Sequence, residues 1–292
     1  MDTLSKFPHS TTQPDVYVTN PFIGLESTDP STWGINVFRD AVISFVEVEQ
    51  STIPDEPSQR PSPFVKSVHN QIQQLHKYPD DTRFRIGYIQ DLICKLGKWL
   101  VDVKEVSLEY RGCDHGDTIN IAGHEWRVNT VSGWRIGELP IFRYTNTAHR
   151  KIWRDSQRDP GRYFDKLAEL AMQDDEALDP LDLAELVSLA QQQRELGLYV
   201  DEYTVYLMYP NHALDQLFVL TATIPSQTLD AIEKGEKEMK PIHIQHGKVA
   251  LVLHTTDEQP WQQSALAKVL AVFVDHAVEI AGMVVDEPEE EP

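Results

Sequence analysis

Arg150, Arg154 and Arg158 recur every four residues, a spacing that on a helix lines three guanidinium groups along one face. His149 and Lys151 sit beside them, Arg143 and Arg162 flank them, and Trp153, Tyr163 and Phe164 interleave aromatic rings. Guanidinium forks at that spacing hold phosphates, and aromatic faces stack bases. The same arginines have a competing use inside the fold. Asp174-Asp175-Glu176 and Asp179, Asp182 and Glu185 follow one helix later and can neutralise the strip across a helix–helix contact. A chain with net charge −20 repels a polyanion, which favours the intramolecular pairing and disfavours nucleic acid as a partner.

The carboxylates offer a second chemistry. Asp215 or Asp230, followed by Glu238-Met239-Lys240, spells an aspartate-then-ExK series. In metal-dependent nucleases such carboxylates converge on a sheet to hold Mg²⁺, and the lysine assists the attacking water. Asp215 and Glu238 are therefore the candidate metal ligands, although the ExK lies in a polar run at the mouth of a strand and not within one. Asp174 to Asp179 lacks the glycine and the alternating oxygens of a calcium loop. Cys113-Asp114-His115-Gly116-Asp117 packs four potential ligands into five residues, but no CxxC or HxxxH completes a zinc set, and Asp and Gly there also serve a turn. His243 and His246, three apart, fall on opposite faces of a regular strand, with His254 on the same expected hairpin. No GxSxG, GxGxxG or GxxxxGK[ST] appears. No catalytic residue is assigned on these grounds, no cofactor is expected, and whether the chain is an enzyme stays open.

The elements that must carry these residues follow from periodicity. Apolar spacing predicts helices over 63–76 and 81–101, the second opened by Asp80-Asp81-Thr82. A helix is also expected over 36–48. Alternation predicts strands at 105–110, 118–121, 125–129 and 139–144, with Ala122-Gly123-His124 as a hairpin break. Helices are expected over 147–157, 160–172 and 180–196; Asp159-Pro160 and Asp179-Pro180 supply an N-cap followed by proline at the first helical position. The strongest β signals, 203–208 and 217–223, read as an antiparallel hairpin. A short helix over 225–234, a hairpin turning at His246-Gly247 and a long helix over 261–284 complete the chain.

Strands bracketed by helices without strict alternation predict an α+β fold, a mostly antiparallel sheet with helices packed around it. Residues 1–31, carrying Pro8, Pro14, Pro21 and Pro30, read as an irregular arm; 32–285 as a single domain with a possible sub-boundary near 102 or 145; and 286–292 as an acidic tail. A length of 292 residues with 41% hydrophobic and 25% charged side chains is an ordinary globular composition, long enough to bury a core unaided. Two cysteines make no disulfide framework, no secretory signal opens the chain, and no apolar run spans a bilayer. A cytoplasmic or nuclear protein, not secreted and not in the membrane, is expected.

Charge is unevenly distributed. Residues 1–150 carry 19 acidic and 15 basic side chains, and residues 151–292 carry 27 and 11. From Glu169 to Glu233 there are 13 acids and a single base, Arg194. Such an acidic surface favours solubility and attracts a basic protein partner.

Arg158 to Ala168 (RDPGRYFDKLA) and the hairpin Tyr203 to Pro225 (YTVYLMYP through LFVLTATIP) resemble uncharacterised intracellular proteins of filamentous fungi. The similarity covers roughly residues 135–230. It implies a fungal origin and a single intracellular domain, and it brings no activity, cofactor or catalytic residue. The expected function is binding or interaction through an acidic surface; the alternative is a metal-dependent, nuclease-like hydrolase with carboxylate ligands. Oligomeric state is not legible.

Overall fold

The computed structural model describes residues 16–53, 62–79, 81–107, 109–112, 117–128, 132–146, 150, 178–251, 255–256 and 259–284. The expected helices at 147–157 and 160–172 lie outside these residues, apart from Arg150. So do Arg154, Arg158, residues 1–15 and the acidic tail.

The strands are β1 (Val18–Thr19), β2 (Val42–Phe45), β3 (Glu109–Gly112), β4 (Thr118–Ile121), β5 (His124–Arg127), β6 (Ser132–Ile136), β7 (Leu139–Tyr144), β8 (Glu202–Pro210), β9 (Gln216–Pro225), β10 (Glu238–Met239), β11 (His243–Ala250), β12 (Thr255–Thr256) and β13 (Gln259–Pro260). The helices are α1 (Phe64–Lys77), α2 (Thr82–Lys104), α3 (Pro180–Glu195), α4 (Ser226–Lys234) and α5 (Ala265–Ala281). Seven strands form one sheet in the order β2-β11-β9-β8-β7-β6-β3. Its pairings are antiparallel except β2 with β11 and β7 with β8. The α+β architecture with a mostly antiparallel sheet is the one the strand and helix pattern predicts. Because β7 pairs with β8 across residue 145, and β2 with β11 across both proposed sub-boundaries, the sheet continues through residues 102 and 145.

Period-two alternation divides the sheet faces. Phe142 and Tyr206 stack on Phe273 of α5, at 5.0 and 4.3 Å between ring centroids, and Trp99 of α2 meets Trp261 edge-on at 4.8 Å. The neighbouring residues, Arg143 and Leu207, point to the other face, where α3 lies under the β4–β5 hairpin.

Several elements match their sequence signals because the signals are local. Asp81 caps α2 by accepting from Phe84 N. Asp179 and Asp182 form a capping box at α3, with Pro180 at its first position. Residues 16–31, read as part of an arm, are tied to the domain: β1 pairs with β10, Asn20 donates to Ala231 O and Glu236 O, and Phe22 is buried edge-on to Trp33.

Three expectations are corrected. The helix over 36–48 is instead a short 3₁₀ turn, Ile35–Phe38, followed by β2; Val42 and Ile43 are β-branched, and pairing with β11 outweighs the mixed local spacing. The strand over 105–110 starts later, at Glu109, since α2 runs through Lys104 and ends with Glu105 in the left-handed region at φ 53°. The hairpin at His246-Gly247 is one continuous strand, β11. Gly247 does not turn the chain; it permits close approach, because a Cβ there would lie 2.2 Å from a Val48 methyl carbon and 3.1 Å from Val46 O.

Two glycines of α2 separate propensity from packing. Gly87 is exposed with open space around it, whereas a Cβ on Gly97 would lie 2.0 Å from the ring of buried Trp134. Gly87→Ala is therefore expected to stabilise the protein by about 0.5–1 kcal/mol through helix propensity. Gly97→Ala is expected to destabilise it by about 1–3 kcal/mol through overpacking. Urea denaturation of the two variants checks the opposite signs.

Candidate functional site

Helix α3 has 13 buried residues out of 16, so it has no solvent face. Leu183, Leu186, Val187, Leu189 and Ala190 supply apolar contact around it, and its polar side chains must find partners in the chain. Ser188 Oγ donates to Thr118 O, and Gln193 donates to Pro140 O at 2.8 Å. Gln191 accepts from Asn120 N at 2.9 Å and donates to Asn120 O at 2.8 Å, acting as a strand partner for β4. Gln192 donates to Asp117 at 3.0 Å.

The charged residues of α3 answer the question raised by the basic strip. Arg150 is 2% exposed, and its guanidinium lies 2.5 Å from Asp182 Oδ1 and 4.0 Å over the ring of Tyr209. Asp182 uses its other oxygen to accept from Asp179 N, so one carboxylate both caps the helix and neutralises the arginine. Arg143, also buried, donates to Glu185 O at 2.8 Å and pairs with Asp117 at 2.8 Å; Arg135 joins Asp117 from the rim at 3.4 Å. Of the arginines singled out for phosphate, Arg150 is thus committed inside the fold and closed to a nucleic-acid backbone. Asp179, Asp182 and Glu185 of the acidic block stand around it.

Glu185 completes the balance. Burial raises its pKa to about 8; Arg143 and Arg150 oppose the shift, and Asp182 and Asp117 add to it. With Glu185 protonated at neutral pH, two buried guanidinium groups face the two carboxylates of Asp117 and Asp182. A carboxyl with a raised pKa is a common acid catalyst. At 1% exposure, however, Glu185 meets no substrate, and its role is structural.

The nuclease-like ligands are not brought together. Asp215 is exposed in the β8–β9 turn beside Gln216, which pairs with Ala250. Glu238 is exposed on β10, paired with Thr19 and chain-adjacent to the opposite end of β11, where His243 pairs with Thr223. Seven residues of β9 separate those two ends, roughly 23 Å. Asp230 is taken by Arg194 at 3.0 Å. Of the cysteine–histidine turn only Asp117 is described, held by Arg143; His243 is exposed and His246 buried, as their spacing requires, and His254 lies outside the described residues. Among the described residues no group of three His, Cys, Asp or Glu could hold a metal ion. No described helix is long and apolar enough to cross a membrane.

What sequence reasoning missed is an edge. β2 ends the large sheet, and among the described residues nothing pairs with its outer side. Val42 and Val46 donate inward to Ile242 O and His246 O. By alternation Ile43 and Phe45 turn their N–H and C=O groups outward. Phe45 is 79% exposed although it packs on His246 at 5.2 Å, and Val42 and Val46 are exposed as well. Beyond the end of β2 at Phe45, Glu47 and Glu49 are exposed while Val48 packs on Gly247. Glu49 and Glu279 of α5 converge near Tyr206, where they reinforce the upward pKa shift that burial imposes on its hydroxyl. The edge therefore carries three apolar residues and Ser44, with exposed Glu47 just beyond it. The β-branched Val42-Ile43 pair was the available signal, masked by the helical reading of 36–48.

No protein-family model and no curated protein sequence matches the chain.

Breaking one side of the Arg150–Asp182 pair leaves a buried charge. Arg150→Met and Asp182→Asn are each expected to cost about 3–5 kcal/mol in urea denaturation, with the double change costing less than the sum. Glu185 sets a pH dependence. The folded state holds its proton more tightly than the unfolded chain, so stability falls as pH rises from the ordinary glutamate range toward about 8. Glu185→Gln is expected to flatten that decline and to be more stable than the parent at the alkaline end; a parallel pH series of both proteins measures it.

Proposed function

We propose that the chain is an interaction protein that receives an extended, basic segment of a partner protein along β2. The observation that supports this is the edge itself: outward backbone groups at Ile43 and Phe45, exposed Phe45, and no covering strand among the described residues. Sheet edges left in this state pair readily, and natural proteins usually guard them with lysine, proline or bulges. β2 has none of these. Addition of a strand gives affinity through main-chain hydrogen bonds, and pockets for alternate side chains give specificity.

Charge argues for the partner's sign. Exposed Glu47 follows the strand directly, and the whole chain carries −20. A basic segment is steered toward such a surface, and a second copy of this chain is repelled by it. The part-buried thiol of Cys94 is free, which supports a reducing compartment, and so a cytoplasmic or nuclear partner, as part of this reading. The hydrolase alternative has no observation in its favour, given the separation of Asp215 from Glu238.

Selection from a library of displayed linear peptides tests the proposal. Binders are expected to alternate apolar residues with Lys or Arg, and to weaken when ionic strength rises from about 0.05 to about 0.5 M. Phe45→Pro removes an outward donor without touching a bond to β11, and is expected to reduce binding roughly tenfold or more while the thermal midpoint changes little. Binders without basic bias, or binding indifferent to Phe45→Pro, overturn the proposal, as does a dimer in light scattering that needs the same edge.

A further inference from the structure

Helices α1 and α2 meet the β8–β9 turn around a half-open cleft of about 320 Å³. Its walls are mainly apolar: Ile72 and Leu75 from α1, Ile89 from α2, Leu214 from the turn and Leu251 after β11. That volume lies at the lower end of the range for small-molecule sites. One cation, Arg85, lies in this wall, and exposed His76 stands beside it.

Arg85 is unusual for this protein. The chain has 46 acidic residues, and each of the other described arginines that is not exposed (Arg135, Arg143, Arg150 and Arg194) holds at least one carboxylate, whereas Arg39 and Arg127 stand exposed in solvent. Arg85 holds none among the described residues. Its Nη1 donates to Leu75 O at 3.4 Å and its Nη2 to Leu214 O at 2.6 Å, while Nε is buried without an acceptor. Two carbonyls orient the guanidinium but leave its charge unneutralised. A guanidinium presents five N–H donors, so further donors remain for an incoming acceptor.

The loop that orients it is itself held in place. Leu214 adopts φ 56°, a region that a leucine rarely enters, and Asn211 fixes the turn by accepting from Asp215 N and Gln216 N and donating to Asp215 Oδ1. The carbonyl that receives Arg85 is therefore presented by a constrained turn and not by a chance loop geometry.

We infer that this cleft binds a small monocarboxylate with an apolar tail, of the size of a medium-chain or aryl-alkyl acid. The carboxylate neutralises Arg85 through a charge-assisted hydrogen bond, and the tail replaces water against Ile72, Leu75, Ile89, Leu214 and Leu251. Both parts are required. The field of a −20 chain opposes anions in general, so a charge without a tail gains too little; a tail without a charge leaves Arg85 unpaired. The site is separate from the β2 edge and does not depend on the reading given to that edge.

Calorimetric titration of the full chain with octanoate, 1-octanol, octylamine and acetate tests the inference. Octanoate is expected to bind at least tenfold more tightly than octanol, and acetate and octylamine not measurably. Arg85→Gln is expected to lower octanoate affinity roughly tenfold or more while leaving octanol unchanged. Should that variant fail to fold, the Arg85 Nε–H resonance of the parent protein serves instead: it is expected to shift with octanoate and not with octanol. Equal affinity for octanoate and octanol, unchanged affinity in Arg85→Gln, or an Nε–H resonance indifferent to octanoate overturns the inference.

Discussion

Burying a helix on every side forces each of its polar groups to be answered from elsewhere in the chain. Helix α3 meets that constraint with a set of partners drawn from distant segments. Asp182 takes Arg150, Gln191 completes β4, Gln193 reaches Pro140, and Arg143 reaches back from β7 to Glu185 O and Asp117. An unsatisfied group in such a place costs about as much as a lost buried hydrogen bond or more. The sheet, the β4–β5 hairpin and the start of the segment at Arg150 are thus held to one arrangement by α3.

That arrangement redistributes the charge of the sequence. Part of the acidic block that follows Glu169 is consumed inside: Asp182 by Arg150, and Glu185 by protonation. Among the described acids of that block, Glu195, Asp201, Glu202 and Asp215 are exposed, where their charge favours solubility. The asymmetry therefore has two causes, an internal set that specifies packing and an external excess that governs encounter.

Both proposed binding places carry unmet bonding capacity. Outward backbone groups on β2 call for a strand, and the unneutralised guanidinium of Arg85 calls for an acid. Arg85 differs from the buried arginines around α3, Arg143 and Arg150, in that both of those hold a carboxylate. Neither binding place depends on a metal, and the separated positions of Asp215 and Glu238 give a metal nothing to bridge.

Local chemistry was legible without the fold. Asp81, and Asp179 before Pro180, mark helix starts because a cap and its helix are neighbours in the chain. The 203–208 and 217–223 hairpin was legible because its strands pair across a short turn. The α+β class followed from the order of such elements. Tertiary structure alone decided the rest, for one physical reason: a partner far along the chain leaves no periodic trace. Gly247 reads as a turn until Val46 and Val48 are seen pressing on it, and 36–48 reads as helical until β11 is there to pair with β2. Arg150 reads as a phosphate ligand until burial beside Asp182, 32 residues on, removes it from solvent. Helices and strands are readable wherever caps, turns and alternation join chain neighbours; which charges are spent inside, and whether Arg85 meets a carboxylate or β2 an outer strand, depends on contacts between segments far apart in the chain.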